Sequence, residues 1–320
     1  MSSSRLPSTA VAAETSLQTS RRRSRLRRER ALRGAVPYSL VAPSVVVVGA
    51  VLAYPLYELV RLSFQHYGLP ELIQRHGQWI GLHNYGSVLH DALFWRVLLR
   101  TVVFTIANVG LTMLLGTLIA LLMTRISAAV RVLLGTGLML VWAMPPVVGV
   151  QIWYWMTNYQ NGVVNYALGV GQHDWYATPF SQLALVTTLV VWGALPFVVV
   201  TVYAGLAQVP GELVEAAAVD GAPPWRVFRD VTYPILKPIL LILTSLSIIW
   251  DFGVFTQPYL LIGREHVFPS NYLMGIYLYI EGYSKSDFGR GAAISVLMLA
   301  IVAVMSVFYV RRMVRMGDVT

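Results

Sequence analysis

The sequence predicts an all-α polytopic membrane protein with six transmembrane helices, and three observations predict it. Apolar residues make up 56% of the 320 residues and charged residues only 12%, about half the roughly 25% of an ordinary soluble domain. With a mean hydropathy of +0.62, a chain of this length has more apolar surface than a water-soluble fold can hide. Six stretches, approximately 38–62, 98–124, 132–156, 183–206, 235–262 and 291–310, each supply the ~20 apolar residues that a helix needs to cross the hydrocarbon core. They are uniformly apolar rather than alternating, which excludes barrel strands, and lipid leaves helices as the remaining way to pair every amide. The absence of cysteine excludes a disulfide framework, thiolate catalysis and cysteine metal sites.

The elements follow in chain order. Residues 1–34 read as a disordered basic tail: a Ser/Thr-rich lead-in from Ser2 to Ser20, then an arginine run over Arg21–Arg33. Nine of the 24 Lys and Arg precede residue 35, so the net charge of +9 marks contact with anionic lipid rather than with nucleic acid. A signal peptide is the competing reading of a basic run before an apolar one, but the apolar stretch is too long for it. Residues 35–320 form the transmembrane domain. Pro43 and Pro55 lie at the two ends of the first span, Pro145-Pro146 in the middle of the third, Pro196 in the fourth and Pro258 late in the fifth. Each proline removes a helical hydrogen bond, which membrane helices tolerate best beside a cavity.

Orientation comes from Lys and Arg in the loops. With the N-terminus in the cytoplasm, inner segments hold 17 basic residues and outer connections five, Arg75, Arg96, Arg264, Lys285 and Arg290. Both termini are therefore expected inside.

The connection over 209–234 is polar enough to lie at the cytoplasmic surface and reads as two short helices. Pro210 suits a first turn, and Glu212 and Glu215 complement the positive end of its dipole. Gly221 fits the left-handed position that ends a helix. Pro223 or Pro224 opens the second helix, where Trp225 and Phe228 share a face. An amphipathic loop lying on the membrane is the plainer reading and a docking element the sharper one.

This loop carries a resemblance. Glu215-Ala216-Ala217, three residues, Gly221, nine residues and Val231-Thr232-Tyr233-Pro234 are similar to the Glu-Ala-Ala, Gly and Ile-x-Leu-Pro signature of permease subunits of binding-protein-dependent ATP-binding cassette (ABC) importers. Val and Tyr stand where that signature has Ile and Leu. Asp220-Gly221-Ala222, Pro234–Pro238 and Phe288-Gly289-Arg290-Gly291-Ala292-Ala293 look like sugar permeases of the maltose-transporter class. Trp250–Phe255 and Tyr309–Met316 look most like actinobacterial permeases for chitobiose and related oligosaccharides. Leu261-Ile262-Gly263-Arg264-Glu265 replaces the Thr-x-Gly-Gly-Pro element usual there.

The resemblance implies a type I importer core, covering roughly residues 35 to 315, in a bacterial cell membrane. It implies a second homologous permease subunit, two ABC ATPase subunits and an extracytoplasmic solute-binding lipoprotein that delivers a di- or oligosaccharide. Glu215, Ala216, Ala217, Asp220, Gly221 and Pro234 become the residues that couple to the ATPase. No cofactor is expected in this chain, with ATP and Mg on the partner. The sequence agrees, since neither lysine, Lys237 or Lys285, stands in a phosphate-binding loop.

The expected substrate path centres on Asp251. A carboxylate in mid-span costs about 2.5–3.5 kcal/mol on insertion scales, so it is a site by default. Thr244, Ser247 and Asp251 share one stripe, and Trp250 and Val254 flank it. Hydroxyl-pairing groups and an aromatic face are what a sugar requires. The resemblance places Ser247, Trp250, Asp251 and Val254 on the path and adds Trp192 and Phe197 around Pro196. A structural hydrogen bond from Asp251 to a neighbouring helix is the other reading. Thr101, Thr105, Asn108 and Thr112 form a second stripe, read as interhelical hydrogen-bond glue. An ion-coupled secondary transporter of a small polar solute is the alternative function, but it calls for several intramembrane acids. The six histidines show no metal-ligand spacing and no nucleophile constellation appears, so neither a catalytic nor a metal site is expected.

Overall fold

The computed structural model describes residues 41–263 and 268–317, with side chains to Arg311. The lead-in, the Arg21–Arg33 run, the 34/35 boundary and Arg264-Glu265 lie outside the described residues. The described residues fall into two units, divided between Leu59 and Val60. Helix α1 (Val41–Ser63), with mean hydropathy 1.7, crosses that division.

The second unit opens with a small cap. Strands β1 (Gln65–His66) and β2 (Gln78–Trp79) pair antiparallel with Gln65 opposite Trp79, around helix α2 (Leu69–Gln74). Glu71 closes a capping contact by accepting from Gly68 N–H at 2.9 Å, and these backbone bonds hold its carboxyl below the usual range. Helix α3 (His83–Leu89) follows. Asp91 then starts α4 (Ala92–Arg125) by accepting from Leu93 N–H at 2.8 Å, so this helix begins six residues before the apolar run does.

Among the described residues, five helices are long and apolar enough to span a membrane, six if one bent pair counts as a span. They include α4, α8 (Pro179–Leu206) and α14 (Phe288–Gly317). Two expected helices are interrupted. The stretch over 132–156 is α5 (Ala128–Ala143) and α6 (Pro146–Met156), bent by 107°. Pro145 drives Met144 to ψ 129°, out of the helical region, and neither proline has an N–H to continue the ladder. The stretch over 235–262 is α11 (Tyr233–Phe252) and α12 (Thr256–Ile262), separated at Gly253. Pro258 is thus no late kink: it is the third residue of α12, where an N–H would have no helical partner. Pro196 stays inside an unbroken α8.

The connection at the other end folds as α9 (Gly211–Val219), α10 (Pro224–Val227) and a π-helical turn, Phe228–Thr232, that runs into α11. The wide turn accommodates Pro234, whose ring would clash with the carbonyl four residues back. Short α7 (Val163–Leu168) lies in the loop before α8, and α13 (Met274–Tyr279) in the loop before α14.

Packing joins these pieces through small residues, as expected where no hydrophobic force acts between helices in lipid. A Cβ on Gly116 of α4 would lie 2.6 Å from Val198 of α8, and one on Gly205 of α8 would lie 2.7 Å from Ile239 of α11. One apolar cluster, with Met123, Val199 and Leu243, joins α4, α8 and α11 near the α9 end. A second, with Phe104, Val150, Leu185 and Ile262, joins α4, α6, α8 and α12. A third, with Phe94, Phe252, Tyr277 and Ile294, joins α4, α11, α13 and α14. Helix α5 buries nothing among its own residues and leaves Leu133 74% exposed, as a lipid-facing helix does.

The Phe288–Ala293 segment has a packing role. A Cβ on Gly289 would lie 2.2 Å from the Gln65 carbonyl, and one on Gly291 would lie 2.6 Å from Gly282 Cα. Arg290 between them pairs with Asp91 at 2.7 Å and Glu281 at 3.3 Å. Tyr277 donates to the same Asp91 at 3.0 Å. Burial above all pushes its phenol up to about 12, so the donor keeps its proton.

Candidate functional site

Where α5–α6, α8 and α11–α12 break or carry proline, they enclose a cavity of about 480 Å³. Five expected path residues, Trp192, Phe197, Trp250, Asp251 and Val254, line it. Ser247 does not: it is buried one turn away, at 6% exposure. The helical stripe predicted from the sequence therefore divides, because Gly253 ends the helix two residues beyond Asp251 and only the residues nearest the break reach open space.

The walls are aromatic. Phe197 stands between Trp142, stacked at 6.3 Å, and Trp250 at 5.5 Å. Trp153 meets Trp192 edge-on at 6.1 Å. Asp251 is 6% exposed, and among the described residues no group hydrogen-bonds its carboxylate. A buried carboxylate without a protein partner is expensive unless water or a ligand satisfies it. The structural-bond reading of Asp251 therefore has no partner to point to.

Sequence reasoning marked Pro145 and Pro146 but missed Trp142 and Met144 on the same wall, and it missed Phe255, Thr256 and Gln257. The Pro145-Pro146 pair was the signal for the first group. Nothing local signalled the second, because the break at Gly253 re-aims residues that an uninterrupted helix would turn elsewhere.

The second stripe is buried along its whole length. Thr101 joins helices, since its hydroxyl oxygen accepts from Met274 N–H at 2.9 Å. Thr105 Oγ1, Asn108 Oδ1 and Thr112 Oγ1 have no partner among the described residues.

At the opposite end, α9 presents Glu212, Glu215, Ala216, Ala218 and Asp220 to solvent and buries no residue. Gly221 takes φ +75°. Ala222 N–H bonds the Ala217 carbonyl and Gly221 N–H the Ala218 carbonyl, both at 3.0 Å. This is the Schellman closure that a left-handed glycine permits. The Trp225 and Phe228 rings lie 5.9 Å apart, with Trp225 68% exposed. Pro234 is exposed at the start of α11. Five of the six motif residues thus lie on α9 and its glycine cap, and Pro234 is the second residue of α11.

Residues 112–316 match the family described as binding-protein-dependent transport system inner membrane components. The chain belongs to this family. The matched segment of this inner membrane component contains all of α9 and every wall of the cavity. The component is 40% identical over 283 residues to the diacetylchitobiose uptake system permease protein DasB of Streptomyces coelicolor, covering 86% of this chain and 85% of that protein. It is 30% identical over 278 residues to the trehalose/maltose transport system permease protein MalF of Thermococcus litoralis, covering 86% and 92%. Its fold matches that of a bacterial ABC transporter involved in the import of the acidic polysaccharide alginate, with TM-score 0.75 at 18% identity, covering 88% of this chain and 96% of that one. The component is a multi-pass membrane protein of transport systems, as the spans and the motif predict.

Proposed function

We infer that this chain is one of two permease subunits of an ATP-driven importer and forms half of the path for a di- or oligosaccharide delivered by an external binding protein. The observation that carries the sugar reading is the cavity. An unpartnered carboxylate, Asp251, faces a space walled by Trp142, Phe197 and Trp250. Such a site pairs with hydroxyls through the acid and with the CH faces of a sugar through the rings. The sugars named for the diacetylchitobiose and trehalose/maltose relatives agree with it.

ATP acts on a separate chain. Helix α9, with Glu215 and the Schellman-capped Gly221, is the element that a motor subunit would grip, and on this reading the α9 end and both termini face the cytoplasm. Because α9 leads through α10 and the π turn into α11, a push on it reaches the helix that bears Asp251. The deciding experiment uses the chain assembled with its neighbouring-gene ATPase, second permease and binding protein in nanodiscs. Diacetylchitobiose, trehalose or maltose should stimulate ATP hydrolysis. Uptake by the isolated chain, driven by a proton or sodium gradient, would instead make it a secondary transporter.

A further inference from the structure

We propose that the groove between α4 and the α9–α10 corner is a binding site for an anionic phospholipid, whose acyl chain lies along the leucines of α4 and whose phosphate meets Arg125. The site itself needs only that α4 crosses the membrane, while its effect on coupling rests on the importer reading above.

The groove encloses about 820 Å³, a ligand-sized space. Leu114, Leu118 and Leu122 form one wall: they recur every fourth residue on one face of α4, and each is more than half exposed. The facing wall comes from Val214 and Ala218 of α9, Trp225 of α10 and Phe228 of the π turn. Neither α9 nor α10 buries a residue of its own, so the side chains of the corner do not fill the space.

Three observations identify the occupant. First, α4 is long and apolar enough to cross a membrane, with mean hydropathy 2.1, and the leucine wall belongs to its last turns before Arg125. The medium along that wall is therefore hydrocarbon, giving way to headgroups where the helix ends. Second, Arg125 is the only charged residue among those that line the groove, and among the described residues it makes no ion pair or hydrogen bond. The cations near it are already engaged. Arg131 donates to the Met123 and Ile126 carbonyls at 2.8 and 3.0 Å, and Arg229 pairs with Asp230 at 2.7 Å. A trough that is apolar along its length and cationic at its end takes a tail and a phosphate together, and basic pockets between membrane helices hold anionic headgroups in this way. Third, Thr232 lines the groove at 8% exposure, and its hydroxyl has no hydrogen-bond partner among the described residues. An ester carbonyl of the lipid supplies the acceptor that a buried hydroxyl calls for. With α9 as the helix that a motor subunit grips, the bound tail fills the space between the moving corner and α4, so coupling depends on anionic lipid.

The test uses the assembled transporter in nanodiscs holding equal amounts of phosphatidylglycerol and phosphatidylcholine. Lipid retained after extraction into mild detergent is counted by native mass spectrometry. Phosphatidylglycerol should be retained in preference to phosphatidylcholine. Arg125→Gln should weaken that retention roughly 5-fold, the worth of one arginine at an anionic membrane surface, and Arg125→Lys should restore most of it. Leu118→Trp, which fills the trough from the α4 side, should lower retention with Arg125 in place. Arg96→Gln removes the same charge from an exposed arginine near the other end of α4, and it should leave retention unchanged. Replacing phosphatidylglycerol by phosphatidylcholine should lower stimulated ATP hydrolysis in the parent and have little effect in Arg125→Gln. Equal retention in Arg125→Gln and Arg96→Gln overturns the proposal. Equal retention of the two lipids by the parent overturns it as well, because the groove then has no preference for an anion. If the lipid is held by the paired permeases but lost when the ATPase subunits bind, the motor fills the groove and the proposal falls. If no sugar stimulates hydrolysis, the import reading fails, while the retention counts still decide the lipid site.

Discussion

At the residue scale, the informative contrast is between polar groups that have found partners and those that have not. Asp251 faces the cavity without a protein partner. Asp251→Asn keeps the shape and should change the rate or sugar preference of stimulated ATP hydrolysis, with melting temperature nearly unchanged. Trp250→Ala should be more severe, because it removes a face that also packs on Phe197 at 5.5 Å. A loss of melting temperature in Asp251→Asn with unaltered sugar preference would return the residue to a structural role. The α4 stripe gives the complementary case. Thr101→Val leaves Met274 N–H buried and unpaired, a loss of about 1–3 kcal/mol, whereas Thr112→Val removes a hydroxyl that has no partner. Thermal unfolding in detergent should separate the two, with Thr101→Val clearly less stable and Thr112→Val equal to or above the parent.

At the element scale, α9 and the start of α14 are the two places where glycine decides. Gly221 has open space around an added Cβ, so Gly221→Ala meets only the left-handed backbone, about 1–2 kcal/mol. That is enough to loosen the end of α9 and lower stimulated ATPase activity while the protein stays inserted. Glu215→Ala leaves α9 folded and should act on partner affinity, read as loss of ATPase co-purification. Normal coupling in both variants would remove α9 from the docking role. Gly289→Ala is different in kind, since the added carbon meets backbone at 2.2 Å. Overpacking of this sort costs about 1–3 kcal/mol, and the cap formed by β1 and β2 should become sensitive to protease in limited digestion. The motif around Arg290, which the sequence offers only as a resemblance, thus has a physical reason in helix-to-ribbon contact.

At the scale of the whole molecule, the proposed function makes the chain dependent on partner subunits. Purified alone it should neither hydrolyse ATP nor accumulate a sugar in proteoliposomes, and both should appear on assembly with the ATPase, second permease and binding protein. Accumulation by the lone chain under an ion gradient would contradict this. Fold class, the positions of the apolar stretches and the corner at α9 were legible in the sequence because each depends on composition or short-range spacing. The interrupted helices were not. Pro145-Pro146 marked a weakness, but a proline bends one helix and leaves another straight, as Pro196 does inside α8.

What the sequence by itself determined is set by local physics: lipid demands long apolar helices, Gly221 ends α9, and the Glu215-to-Pro234 spacing marks the family. What only the tertiary structure decided depends on neighbours. Asp251 reached the cavity and Ser247 did not, because the helix stops at Gly253. Trp142 joined Phe197 and Trp250 because α5 packs against α8. The Phe255/Tyr259 and Tyr279/Tyr283 pairs are each visible in the sequence at a spacing of four, but some 20 residues separate them. Gly275 lets α13 lie against Phe255, and that contact between distant segments is what brings the two ring pairs together.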